Sequence, residues 1–267
     1  MAEFRYTDAQ MEYVLYSIYT GKITPLKLPK DLYFAISDYL KKGLYSGFGS
    51  MNFGFGKPDE ILLAELRSNV YMFSAAKTFQ QVKEMSDALI DGKKFRPFND
   101  FMSKGEEIFK TYNKTYLRTE YETAKGMGRV GAKWERIERD KEVFPLVRYV
   151  AVLSGNTCEI CEGLNRMTLP VGHPFWNKYA PLNHFNCLCI LEQITAEEGN
   201  QSPSWRVEKA NKDVGAVMDD TFKMNPGKDK VVFKDSGKGK HPYFDVEPKY
   251  KKFAQDNFNL PIPDKDE

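Results

Sequence analysis

Through more than the first half of the chain, hydrophobic residues recur every three or four positions, the spacing that lines one face of a helix. The pattern predicts a short helix over Asp8–Tyr19, stopped by Gly21 and Pro25. It predicts a second in LPKDLYFAISDYLKKGL, where Leu32, Ile36 and Leu40 share a face and Asp31 is placed as a cap or first-turn acid. The next segment, LYSGFGSMNFGFGKP, is dense in glycine and aromatic rings and reads as an ordered surface loop or contact arm, not a helix. From Pro58 to Ile90 a long helix is carried by Leu62, Leu66, Val70, Phe73, Ala76, Val82, Met85 and Leu89. DGKKFRP interrupts it. Phe98, Met102, Phe109, Tyr112, Tyr116, Ala124, Trp134 and Ile137 then carry at least one more long helix, ending before Pro145. Gly126, Gly128 and Gly131 lie inside this last pattern. Each costs about 1 kcal/mol against alanine in a helix, so the spacing predicts a kink there or the close approach of another backbone.

At Pro145 the period changes. LVRYVAVL is β-branched and alternating enough for a strand, and LCILEQIT, after the last cysteine, for another. Between them Gly, Pro and Asn predict loops joined by short strands. QSPSWRVEKANKDVGAVMDD predicts one more helix, followed by a tail with Pro226, Gly227, Gly237 and Gly239. The fold class is therefore α+β: a mostly helical N-terminal region followed by a small α+β module, which the cysteines discussed below would staple with zinc. Three sections are expected: a helical and loop arm over 1–57, a long-helix region over 58–144, and the cysteine-bearing module with its tail over 145–267.

Composition narrows the function classes. The chain has 267 residues with 39 Lys+Arg against 37 Asp+Glu, a formal charge of +2, which argues against a strongly basic nucleic-acid coat and against an acidic disordered tail. Aromatic residues reach 14%, enough rings for a sizeable core. The polar start MAEFRYTDAQ is no secretory leader, and the apolar runs fall far short of the roughly 20 residues that span a bilayer. Four cysteines are too few for a disulfide-dense scaffold, so a soluble protein of a reducing compartment is expected, without a membrane partner. Lys and Arg outnumber Asp and Glu over 93–142 and 222–240. Solvated helix faces are the plain explanation of these stretches, and phosphate contact with DNA is the alternative.

All four cysteines lie in TCEICEGLNR and LNHFNCLCI: Cys158 and Cys161 form a C-x-x-C, Cys187 and Cys189 a C-x-C. Zinc takes four soft or borderline ligands at tetrahedral corners, and two close pairs can supply them. In an ideal strand Cys187 and Cys189 would sit about 7 Å apart at Cα, so convergence needs a local turn or bulge. His184, three residues before Cys187, is a fifth donor able to displace one cysteine. Reduced buried cysteines and a redox pair are the competing explanations. The redox pair is disfavoured because Glu162 and Gly163 make a poor start for the helix that lowers a thiol pKa. The His-x-Glu with Pro-Cys-x-x-Cys of deaminases and the His-Glu-x-x-His of zincins are both missing. His184 and Asn186 leave a metal-dependent nuclease as the enzymatic alternative, although His173, His184 and His241 form a thin catalytic set. Four thiolates on one zinc leave no open coordination position, which suits a scaffold.

At these residues the sequence resembles the phage Mu F-like minor head protein family, the phage head morphogenesis proteins. TYLRTEYETA over 115–124 is similar to the family's helical lead-in, and an arginine-bearing helix with Trp134 follows. RYVAVLSGNTCEIC, LNRMTLP and PLNHFNCLC continue the likeness, which is good over about 110–195 and looser elsewhere. Leu188 stands where the family usually has Arg, Leu182 where it has a second Pro, and Asn165 where it has Gly. The resemblance implies metal ligation by Cys158, Cys161, Cys187 and Cys189. It also implies a non-enzymatic, low-copy protein of the virion head, made in the host cytoplasm. Such a protein works with portal or major capsid protein at the portal vertex in head assembly and DNA packaging.

Overall fold

The computed structural model describes residues 3–49, 56–152 and 158–262. In chain order it holds α1 (Asp8–Tyr19), α2 (Lys30–Phe48), α3 (Lys57–Asp87), a small hairpin of β1 (Ile90–Asp91) and β2 (Lys94–Phe95), and α4 (Phe98–Lys110). A π-helical turn, Thr111–Tyr116, leads directly into α5 (Leu117–Arg139). Then follow β3 (Leu146–Val150), α6 (Glu159–Leu164), β4 (Thr168–Pro170), α7 (Trp176–Tyr179), β5 (Ile190–Ile194), α8 (Ser204–Val217), α9 (Pro226–Asp229) and α10 (Lys251–Gln255). The class is α+β with a helical N-terminal region, as the hydrophobic periods predict. No helix among the described residues is long and apolar enough to cross a membrane.

The chain divides into two compact units. The first comprises Met1–Lys42, Ser68–Tyr121 and Pro242–Glu267. Thr7 opens α1 with a reciprocal capping box to Gln10, and the chain leaves the helix at Gly21, whose φ of +72° suits glycine. Val14, Leu15 and Ile18 from α1 join Leu32, Ile36 and Leu40 from α2 in the core, with Val70, Phe73 and Phe79 from α3. A C-terminal segment packs into the same unit: Phe79 meets Tyr250 and Phe258, and Tyr33 donates a hydrogen bond to the Pro261 carbonyl at 2.6 Å. The tail expected from glycine and proline is thus built into the core here. The DGKKFRP interruption is the β1–β2 hairpin, with Ile90 opposite Phe95.

The second unit comprises Gly43–Arg67 and Glu122–His241. Its sheet has the order β4-β3-β5, both neighbours antiparallel to β3, with Val147 opposite Leu169 on one side and Gln193 on the other. Trp134, Ile137, Val147, Tyr149, Leu164 and Trp176 are buried around it. Two expectations need correction. The glycine-rich segment was expected to be non-helical, yet α2 runs through Gly43 and Gly47 to Phe48; residues 50–55 of that segment lie outside the described residues. Between the β3 strand and Cys189 the expected loops and a short strand, β4, are present, but two short helices, α6 and α7, form as well.

The α5 glycines explain the first difference. A Cβ on Gly128 would stand 2.6 Å from the Leu44 carbonyl oxygen and 3.1 Å from the Phe48 nitrogen, and one on Gly47 would collide with the Lys125 carbonyl. The two helices therefore meet backbone to backbone, the close approach foreseen for α5. No kink falls at these glycines; the irregular turn lies earlier, at Thr111–Tyr116. Gly128→Ala should lower stability by about 1–3 kcal/mol, because a backbone carbonyl cannot step aside as a side chain can. Gly172→Ala, with nothing within 4 Å of its Cβ position, should be near neutral. Chemical denaturation of both variants checks the contrast.

Candidate metal centre

Strand β3 carries the framework for the cysteines. Tyr149 is fully buried, and its hydroxyl donates to Asn183 Oδ1 at 2.7 Å while lying 3.8 Å from Cys161 Sγ. Asn183 in turn donates through Nδ2 to the Ala180 carbonyl at 3.2 Å, which fixes the loop entering the second cysteine pair. Burial first, and then the neighbouring sulfurs, push the Tyr149 hydroxyl far above its ordinary pKa, so it remains a neutral donor. Nothing in the sequence pattern distinguishes Tyr149 or Asn183 from ordinary core residues.

The first pair sits on one helical turn. Cys158 has extended backbone angles, φ −78° and ψ 154°, and its Sγ faces the Cys161 N–H at 3.5 Å as an N-cap would. Helix α6 therefore begins directly after Cys158, against the expectation that Glu162 and Gly163 would start no helix. The start of α6 thus gives no ground against a redox pair. What the geometry shows instead is Cys161 turned toward other donors: Cys187 Sγ at 3.9 Å and His184 Nε2 at 3.1 Å.

The second pair converges through a turn, as its spacing requires. Asn186 takes a left-handed φ of +58°, and the Cys187 N–H reaches back to the His184 carbonyl at 3.3 Å. β5 begins only at Ile190. Cys161, Cys187 and Cys189 are buried, Cys158 is half-buried, and all four are free thiols.

Two overlapping triples result: Cys158, Cys161 and His184, and Cys161, Cys187 and Cys189, the ligand atoms within each lying within 4.8 Å of one another. Cys161 belongs to both. The tetrahedral edge between two zinc-bound sulfurs is roughly 3.8 Å for Zn–S bonds of about 2.3 Å, and the 3.9 Å between Cys161 and Cys187 matches it. His184 Nδ1 lies 2.7 Å from the Phe185 carbonyl, so the proton belongs there and Nε2 is left as a lone-pair donor toward Cys161. The donor set is compatible with zinc in softness, spacing and burial. It is crowded as well: one sulfur, Cys189, is held well below the ordinary thiol range by hydrogen bonds from Cys161 and Cys187, while the Cys161 thiol is pushed up by its bonds to those two. A cation is the natural relief for such a cluster. His173, by contrast, accepts from the Phe175 N–H through Nδ1 and belongs to neither triple.

With that geometry in view, the comparison with known families finds one match. Residues 80–192 match the family model described as Phage Mu protein F like protein. Over that span the chain is similar to the phage Mu protein F-like family. The Mu F-like span begins within α3, some way upstream of where the sequence resemblance is strongest, and ends within β5. It encloses all four cysteines and His184. No curated protein and no solved structure matches the chain.

Proposed function

We propose that this Mu F-like chain is a minor head protein of a tailed phage or prophage. It acts at the portal vertex in head morphogenesis and DNA packaging, docks on portal or major capsid protein, and has no enzymatic activity of its own. Its place is the virion head, reached from the host cytoplasm during assembly. The observation that carries this reading is the family match lying over the one sulfur-rich cluster described above. In this reading Cys158, Cys161, Cys187 and Cys189 hold a structural zinc ion, with His184 the competing fifth donor. Bound zinc would cross-link α6 to the loop before β5, supplying folding energy to the module and no chemistry. His184 turns its free nitrogen to a thiol and not to open solvent, which speaks against its use as a nuclease base.

Co-expression with a portal protein from the same genome, followed by density-gradient sedimentation, tests the role. The chain should travel with the portal ring or procapsid; a chain that never leaves the top of the gradient with either partner overturns the proposal. Plasmid incubated with Mg²⁺ or Mn²⁺ should stay intact. Cleavage that disappears in His184→Ala would install the nuclease reading instead.

A further inference from the structure

A cavity of about 430 Å³ lies in the second unit between the end of α2, the C-terminal half of α5 and the start of β5. Its wall includes Arg129, Lys133 and Arg136 together with Gly47, Gly49 and Ile190, and no carboxylate lines it. Positions 129, 133 and 136 follow the four-then-three spacing of one helix face. Three cations on one side of one pocket repel each other, so a fold that keeps them together needs a reason. Favourable interaction with the helix dipole accounts for Arg136 in the last turn of α5, but not for Lys133 and Arg129, about one and two turns earlier.

Their partners are informative. Lys133 is half-buried and donates to the neutral amide oxygen of Gln193 at 3.0 Å, not to a carboxylate. The Gln193 amide nitrogen is buried and has no hydrogen-bond partner among the described residues. The carboxylates near Lys133, Asp140 and Glu192, are each engaged by another arginine, Arg139 at 3.5 Å and Arg148 at 3.4 Å. Arg129 and Arg136 form no ion pair among the described residues. Burial, and then Arg136 beside it, lowers the Lys133 pKa, as expected of a cation lacking its counter-charge.

We infer that this pocket is an oxyanion site of the phosphate class, with Arg129, Lys133 and Arg136 as its ligating cations. Two guanidinium groups flanking an ammonium suit a phosphate or phosphodiester, whose oxygens accept from forked donors. The cavity adjoins the candidate metal centre, since Cys189 also lines it, but the three cations belong to α5 and not to the cysteine cluster; the inference does not depend on the docking partner. It also sharpens the plain reading of the basic stretch over 93–142: Arg129 and Arg136 are exposed and Lys133 is half-buried, but these three side chains line one cavity.

The full chain should be titrated with a fluorescent 20-base-pair duplex by anisotropy, and with inorganic phosphate and pyrophosphate by calorimetry. Three neutralised phosphates give a salt slope of about −2.7, so duplex affinity should fall about 40-fold between 50 and 200 mM salt. Arg129→Gln with Lys133→Gln and Arg136→Gln should weaken binding at least tenfold, whereas Lys93→Gln with Lys94→Gln in the other unit should not. The charge-preserving pair Arg129→Lys and Arg136→Lys should bind more weakly than wild type, for want of the forked donors, but more tightly than the triple variant, which separates loss of charge from loss of fold. Duplex binding that follows this pattern identifies a nucleic-acid backbone as the source of phosphate; binding of phosphate or pyrophosphate alone identifies a small-anion site. No binding of any of these probes by wild type, or equal binding by the triple variant, overturns the inference.

Discussion

Lys77→Met should cost the first unit about 3–5 kcal/mol, as expected when one partner of a buried ion pair is deleted. The Lys77 side chain is completely buried, and its Nζ donates to Glu120 Oε1 at 2.9 Å and to the Tyr112 carbonyl at 2.8 Å. The rings of Tyr112 and Tyr243 flank the ammonium with centroids at 5.3 and 5.1 Å. The π-helical turn at Thr111–Tyr116 makes this possible: widening the helix shifts its hydrogen-bond partners and leaves the Tyr112 carbonyl accessible to an outside donor. Burial lowers the Lys77 pKa and raises that of Glu120, each opposed by the partner's charge. In the variant only burial remains, so Glu120 titrates further above its unfolded value. A raised folded pKa means that the protonated form is the compatible one. The loss should therefore be full near neutral pH and shrink as pH falls toward the ordinary carboxylate range. Lys77→Met with Glu120→Leu should recover most of the stability, since two apolar side chains leave no buried charge. Denaturant midpoints at pH 7 and pH 5 test all of this. A single variant within 1 kcal/mol of wild type at pH 7 would show that the pair is not the anchor described.

How far the sequence reveals this structure depends on which neighbours set each element. α1 is legible because its signals are local: a capping Thr7, an apolar stripe and a stopping Gly21. α3 is only half legible. Its period exposes the face of Leu66, Val70 and Phe73, but Lys77, Thr78 and Gln81 are buried as well. Their cover comes from distant chain, Asn113 for Gln81 and Tyr243 for Lys77, and no window of neighbouring residues encodes that. The glycines near Phe48 look like helix breakers because intrinsic propensity disfavours them; the backbone contact at Lys125 overrides that preference. α6 escaped notice because a cysteine sulfur is not among the usual caps. In the candidate centre, residue type alone singled out the residues that the fold brings together, including His184. It did not find the arrangement in which Cys161 joins both triples, nor Tyr149 and Asn183 behind it, since those follow from the pairing of β3 with its neighbours.

That arrangement makes the cysteines unequal, and the inequality can be measured. Cys161→Ser removes the sulfur common to both triples, so it should abolish tight zinc binding whichever four donors complete the tetrahedron. Cys158→Ser and His184→Ala each disturb only the half-buried triple, and one can substitute for the other. Their single effects should be modest, and their combination should approach that of Cys161→Ser. Metal analysis of purified protein gives the occupancies: close to one equivalent in wild type, little in Cys161→Ser, and intermediate values in the two single variants. A structural site contributes its binding energy to folding, so losing it should destabilise the second unit by several kcal/mol. Amide exchange should then quicken over β3, α6 and β5, while α1 and α4 keep their protection. The contrast between units also guards against a trivial result, because global unfolding would quicken exchange everywhere. Zinc retained at one equivalent in Cys161→Ser would remove that sulfur from the coordination sphere. A wild-type protein that holds no metal and is indifferent to chelator would leave the cluster as buried thiols, and the scaffold would have to rest on Tyr149, Asn183 and the packing of the sheet alone.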